Sequence, residues 1–70
     1  MKKIVISEKI KHYRFEQKLT QQEFGRLVGV SAQAISKWER CECYPDITML
    51  PAIAEFLECS INDFFVSVEK

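Results

Sequence analysis

Ala32, Gln33, Ser36 and Lys37 are the residues whose types and spacing could do chemistry. On a helix of 3.6 residues per turn they share one face, while Ile35 and Trp38 fall on the opposite side. That face offers a methyl, an amide, a hydroxyl and an ammonium group. Such groups recognise a polar or anionic surface by hydrogen bonding and charge. No other part of the sequence supplies a reaction centre. It lacks a nucleophile paired with a base, a glycine-rich phosphate loop and paired carboxylates at useful spacing. The chain is expected not to be an enzyme, to need no cofactor and to bind no small molecule.

The other reactive side chains are Cys41, Cys43 and Cys59. An odd number of cysteines does not build a disulfide framework. Cys41-x-Cys43 gives two metal ligands at most, and the single histidine, His12, is remote, so no metal site is expected. Cys59 reads as a small buried apolar residue. Cys41 and Cys43, which follow the polar-faced helix, leave open a response to oxidant or metal.

The elements that position this face are legible from their ends. Ser31 stands directly before the run as a helix N-cap. Thr20 caps a preceding run, and Glu23 three residues on completes the capping-box spacing. Gly29 between them most cheaply takes the left-handed conformation that ends a helix. The pattern predicts helix 2 over about Gln21 to Val28 and helix 3 over about Ala32 to Arg40. Phe24, Leu27 and Val28 are expected inward. Gly25 inside helix 2 costs about 1 kcal/mol relative to Ala, which a close crossing against helix 3 would justify. Two short helices joined across a glycine turn, the second with a polar outer face, make a helix-turn-helix arrangement.

The flanks predict three more helices. Ser7 is expected to cap helix 1, running to about Gln17, with Ile6, Ile10, Tyr13 and Arg14 on one face. Arg14 there is out of place, because a buried charge needs a partner. Met1 to Val5 is expected to fray. After the Cys41–Pro45 loop, Thr48 is the expected cap of helix 4, since Pro51 then falls in the first turn, where its missing amide costs nothing. Leu50, Ile53, Ala54 and Leu57 form its buried stripe. Ser60 caps a last helix from Ile61 to about Val66, with Ile61, Phe64 and Phe65 closing the core and the end of the chain loose. The fold class is all-α, with five short helices and no strand of consequence.

At 70 residues and 47% apolar the chain is expected to be one domain over 1–70, with its core over about 7–65 and the helix-turn-helix over about 20–40. Its net charge of zero conceals a split. Residues 1–40 carry nine Lys/Arg against four acids, and residues 41–70 carry Lys70 alone against six. A basic face for a polyanion and an acidic back fit that split. No apolar run approaches the ~20 residues that span a bilayer. Three consecutive apolar residues near the start are too few for a signal peptide, so the chain is expected in the cytoplasm, away from membranes.

Leu19-Thr-Gln-Gln-Glu-Phe24, Val28-Gly-Val-Ser31, Ile35-Ser-Lys-Trp-Glu-Arg40, Tyr44-Pro-Asp46 and Ser60-Ile-Asn-Asp-Phe-Phe65 together resemble the Cro and phage-repressor family of helix-turn-helix domains, also called the XRE family. The resemblance implies a compact five-helix, lambda-repressor-like fold that binds double-stranded DNA with helix 3 in the major groove. It implies that Gln21 meets a phosphate at the start of helix 2, and that Ala32, Gln33, Ser36 and Lys37 face base edges or phosphates. Ser31 and Arg40 flank them and complete the DNA-facing set. It further implies that Arg14 and Glu39 form a buried ion pair. The chemistry suits these roles: Gln33 can bond adenine N6 and N7, the Ala32 methyl can meet a thymine methyl, Lys37 can bond guanine or phosphate, and Ser36 suits several bases. Lys18, Cys41 and Glu58 depart from the family's usual Gly or Asn at helix ends, and Gly25 stands where Ala is common. A left-handed end at Cys41 is therefore expected to be strained or absent.

The expected function is a sequence-specific transcriptional regulator, a repressor, acting as a homodimer on a two-fold-related operator. Its dimer contact is placed at the exposed part of helix 5 with Phe65 and Val66. An alternative is an interaction module, such as an antitoxin or adaptor, that uses the same fold.

Overall fold

The computed structural model describes residues 2–67. The helices are α1 (Ile6–Glu16), α2 (Gln21–Val28), α3 (Ala32–Glu39) and α4 (Leu50–Leu57). Of these, α2 and α3 start at side-chain caps and the other two do not. A 3-10 turn over Ile47–Met49 leads into α4, and a second covers Ile61–Phe64. Strand β1 (Lys2–Ile4) pairs antiparallel with β2 (Phe65–Ser67), with Ile4 opposite Phe65 and Lys3 opposite Val66.

Four helices, not five, corrects the expected count. Ser60 starts the last turn as placed, and its N–H donates to the Asp63 carboxylate at 3.0 Å. The turn then gives way to extended backbone at Phe65 (φ −127°, ψ 139°). The residues after Asp63 are Phe-Phe-Val-Ser-Val, whose aromatic and β-branched side chains suit a strand better than a helix. β1 supplies the partner, so residues 2–4 are paired rather than frayed. Residues 68–70, which fall in the end expected to be loose, and Met1 lie outside the described residues.

The same pairing moves the start of α1. Val5 donates its N–H to the Phe64 carbonyl at 2.7 Å, and the helix begins at Ile6 with no side-chain cap. Ser7 is inside the helix and buried, not its N-cap. Thr48 is likewise not the cap of α4. Asp46 begins the preceding turn, its carboxylate accepting from the Thr48 N–H and hydroxyl, both at 2.9 Å. These bonds hold the Asp46 carboxyl below its usual range. Pro51 falls in the first turn of α4, where its missing amide has no partner to lose.

Ile6, Ile10, Phe24, Ile35, Trp38, Ile53, Ala54 and Phe64 form the core, contributed by every helix and by the last turn. Burying a large apolar side chain contributes roughly 1.5–3 kcal/mol, and this set is what holds α3 against α1 and α2. Leu50, Leu57 and Cys59 pack on the core's margin. Leu27 and Ile61, expected inward, are 46% and 38% exposed. In a helix as short as α2, Phe24 and Val28 cover the inward stripe, and Leu27 lies beyond its edge.

All four α-helices close alike, through an amide bonded to the carbonyl five residues back: Leu19 to Arg14, Val30 to Gly25, Glu42 to Lys37 and Cys59 to Ala54. This closure needs a left-handed residue. Gly29 takes it at φ 86°, but Lys18, Cys41 and Glu58 take it at 57°, 61° and 57°. The left-handed exit at Cys41 is thus present, so of the two expected outcomes, strained or absent, it is the strained one. Left-handed backbone costs an ordinary residue about 1–2 kcal/mol, against a smaller entropic gain from not being glycine. Lys18→Gly and Glu58→Gly are therefore expected to raise stability by about 0.5–1 kcal/mol each. The midpoint of urea unfolding at constant slope reads this directly; a lowered midpoint would show that these bends are unstrained.

Candidate nucleic-acid interface

Helix α2, which leads into the turn before α3, is locked at both ends. Thr20 Oγ1 accepts from the Glu23 N–H at 3.0 Å, and Glu23 Oε1 accepts from the Thr20 N–H at 2.8 Å. At the other end, the Gly25 carbonyl accepts from both Gly29 and Val30, at 2.7 and 2.8 Å. Ser31 Oγ then accepts from the Ala34 N–H at 3.2 Å, which starts α3. A Cβ on Gly25 would stand 2.5 Å from the Val30 carbonyl oxygen. The close approach expected at Gly25 is therefore made to the turn's backbone, not to the side chains of α3.

α3 presents two unlike faces. Ile35 and Trp38 are buried, while Gln33 and Lys37 are exposed and Ala32 and Ser36 half-buried. Among the described residues, neither Gln33 nor Lys37 makes a side-chain hydrogen bond, which leaves an amide and a cation turned outward. Ser31 and Arg40, also expected to face DNA, are engaged within the chain. Ser31 spends a lone pair on its cap but keeps a hydroxyl hydrogen to donate. Arg40 pairs on the surface with Glu42, at 3.1 Å from Nε to Oε2 and 3.3 Å from Nη2 to Oε1. Glu42 was not singled out in the sequence; an acid two residues after Arg40 was the available signal. Exposed pairs are weak, so an arriving phosphate can replace Glu42 at little cost.

Beneath the outer face, Arg14, Gln21 and Glu39 come together. Arg14 Nε donates to Glu39 Oε2 at 2.8 Å and its Nη2 to Oε1 at 3.0 Å, a two-pronged pair. Its Nη1 donates to the Leu19 carbonyl at 3.1 Å. Gln21 Nε2 donates to Glu39 Oε1 at 3.2 Å. The second Nε2 hydrogen of Gln21 remains for an acceptor outside. The two charged side chains are only 12% and 5% exposed, and the bond to Glu39 holds the Arg14 guanidinium above its usual pKa. The guanidinium also lies 4.7 Å from the centre of the exposed Phe15 ring, an outer cover for the pair. One carboxylate at the end of α3 thus fixes α1 and the start of α2.

The exit of α3 is tied down by a contact to α1. Cys41 Sγ lies 3.2 Å from Ser7 Oγ, joining the left-handed bend to the first turn of α1. The two residues are 34 apart in the chain, and nothing local in the sequence signals the contact. Cys43 is exposed, and Cys59 sits partly buried, with desolvation and nearby Asp63 pushing its thiol pKa up. Among the described residues, no three His, Cys, Asp or Glu side chains gather as a metal would need, and no helix is long and apolar enough to cross a membrane.

Residues 10–64 match the family model described as helix-turn-helix. Among characterised proteins, the repressor protein C2 of Salmonella phage P22 is 41% identical over 56 residues, covering 80% of this chain and 26% of that protein. The transcriptional activator BcrR of Enterococcus faecalis is 33% identical over 63 residues, covering 90% of this chain and 31% of its own length. The chain thus spans about a quarter to a third of these relatives. Among solved structures, the P22 c2 repressor in complex with a synthetic operator superposes with a TM-score of 0.78 at 37% identity, over 89% of this chain and 94% of that one.

Proposed function

The chain belongs to the helix-turn-helix family, and from that premise we propose that residues 1–70 form one DNA-binding domain of a sequence-specific transcriptional repressor. It binds double-stranded DNA as a homodimer on a two-fold-related operator, with α3 in the major groove. The observation that carries this reading is the split of α3 into a buried side, Ile35 and Trp38, and an outer side on which Gln33 and Lys37 stand open. The similarity to a repressor solved on its operator supports it. Gln33 reads an adenine edge, Lys37 a guanine or phosphate, and Ala32 and Ser36 the neighbouring positions. Gln21, Ser31 and Arg40 hold phosphates, which set register without carrying sequence. Arg14 and Glu39 touch no DNA; they hold α3 at the angle the groove requires.

Selection of bound sequences from random DNA, followed by gel shift, tests this reading. Gln33→Ala is expected to cost about 1–3 kcal/mol on the selected site and to relax preference at one base pair. If Lys37 holds a phosphate, Lys37→Ala lowers the salt slope by about one. Unchanged affinity and base preference in both variants would remove α3 as the reading element. Binding that ignores salt would argue for a protein partner instead.

A further inference from the structure

Cys41 and Cys43 stand two residues apart on the bend that leaves α3, and reading DNA gives neither of them a role. Both are exposed. Cys59 is not a third member of the set, because it is partly buried and desolvation pushes its thiol pKa up. The Cα atoms of residues two apart are separated by at most about 7 Å, and by less where the chain bends. Here it bends at Glu42 and Cys43. A disulfide spans roughly 4.4–6.8 Å between Cα atoms, so the backbone already holds the pair within bridging reach. In the reduced chain the Cys41 sulfur lies 3.2 Å from the hydroxyl of the buried Ser7, in the first turn of α1. Glu42, between the two thiols, has two attachments of its own. Its N–H donates to the Lys37 carbonyl at 2.9 Å, which closes α3, and its carboxylate holds Arg40 at 3.1 Å. A bond from Cys41 to Cys43 encloses Glu42 in a small ring and acts on both attachments.

We propose that Cys41 and Cys43 are a peroxide-sensitive dithiol, whose oxidation to an intrachain disulfide loosens the exit of α3 and weakens DNA binding. The effect on DNA rests on the DNA-binding reading; the disulfide does not. The oxidant is a hydroperoxide, in the simplest case hydrogen peroxide. One thiol sulfur attacks it: an S–O bond forms, the O–O bond breaks, and the leaving hydroxide takes the thiol proton as water. The other sulfur attacks the resulting sulfenic acid, forming the S–S bond, and the hydroxyl leaves with the second thiol proton as water. Two electrons pass from the sulfurs to the peroxide, and a thiol reductant reverses the change. In the product the Cys41 sulfur carries no hydrogen for Ser7 and is drawn towards Cys43, so α3 loses its tie to α1. Arg40, proposed to hold a phosphate, moves with Glu42.

The test treats the reduced chain with hydrogen peroxide and follows intact mass and gel-shift affinity for the selected site. Wild type, Cys59→Ala, Cys41→Ser and Cys43→Ser are compared, and circular dichroism checks that each is folded. Should Cys41→Ser fail to fold, Cys43→Ser carries the comparison alone. Wild type and Cys59→Ala are expected to become about 2 Da lighter as single chains, the loss of two hydrogens. Their affinity is expected to fall about tenfold, the scale of one lost bond to a charged group, and dithiothreitol restores both readings. The serine variants are expected to show no such mass loss and to keep their affinity within about threefold, the scatter of a surface change. Absence of the disulfide in wild type, its formation between chains instead, or an equal mass loss in a serine variant overturns the dithiol. A disulfide that leaves affinity unchanged or raises it overturns the switch, with the DNA reading intact. Failure of reduced wild type to bind any selected site overturns the DNA reading and the switch, while the mass change still decides the dithiol.

Discussion

Replacing Glu39 with alanine is expected to cost the domain about 3–5 kcal/mol, the range for removing one partner of a buried ion pair. At 0.05–0.15 kcal/mol per residue, a chain of this size has roughly 4–10 kcal/mol in total, so the variant sits at the edge of unfolding. The size of the loss follows from what is left behind. Arg14 loses both prongs of its fork, and Gln21 loses the acceptor of its amide. The guanidinium, 12% exposed, then has only the Leu19 carbonyl and the Phe15 ring to replace lost hydration. Glu39→Gln keeps the shape and one acceptor oxygen but turns an N–H₂ group towards other donors, so an intermediate loss is expected. Arg14→Met/Glu39→Leu removes both charges and is expected to recover at least half of the single-variant loss, because apolar packing can replace a buried pair. Urea unfolding at constant slope measures all three. A Glu39→Ala cost below about 1 kcal/mol would place the pair with ordinary surface bridges.

That pair also marks how far the residues alone could be read. Arg14 on an apolar helical face announced that a carboxylate must lie nearby, but periodicity could not say which one. Glu39, twenty-five residues away, was named only through the family resemblance. Features whose cause is local were legible: Thr20 with Glu23, Gly29 as the left-handed end of α2, and Ser31 as the cap of α3 are each decided within a few residues. Features decided by distant pairing were not. β1 and β2 form because residues 2–4 meet residues 65–67, and that meeting moves the start of α1 to Ile6 and makes Ser7 an interior residue. Lys18, Cys41 and Glu58 show the same limit from another side. Nothing in their side chains asks for left-handed backbone; the direction in which the next segment must leave imposes it. On the outer face of α3, residue types gave the spacing of Gln33 and Lys37. The engagement of Arg40 by Glu42 comes with a left-handed bend at Cys41, which the sequence left as strained or absent.

Gly25→Leu is expected to destabilise the domain by about 2–3 kcal/mol, near the upper end for overpacking, although leucine is the better helix former by close to 1 kcal/mol. The collision decides the sign. The new Cβ would stand 2.5 Å from the Val30 carbonyl oxygen and 3.3 Å from the Ser31 carbonyl carbon and oxygen. These are backbone atoms, so no rotamer change relieves the contact; the turn itself must retreat. The Gly25 carbonyl also accepts the Gly29 and Val30 amides, so a retreating turn stretches both bonds. Ser31 is carried along, and with it the start of α3. Gly25→Ala sets the same first collision against its gain in helix propensity and is expected to fall between wild type and Gly25→Leu. The displacement has a functional signature separate from stability. Under conditions where Gly25→Leu remains folded, its affinity for the selected site should fall while a Gly29→Asn variant, whose position is open and whose side chain tolerates left-handed backbone, keeps both fold and affinity. Unfolding midpoints and gel shifts on the same preparations measure the two effects. A Gly25→Leu variant within about 0.5 kcal/mol of wild type and with undiminished DNA affinity would show that the turn yields freely, and that the close contact at Gly25 does not set the angle between α2 and α3.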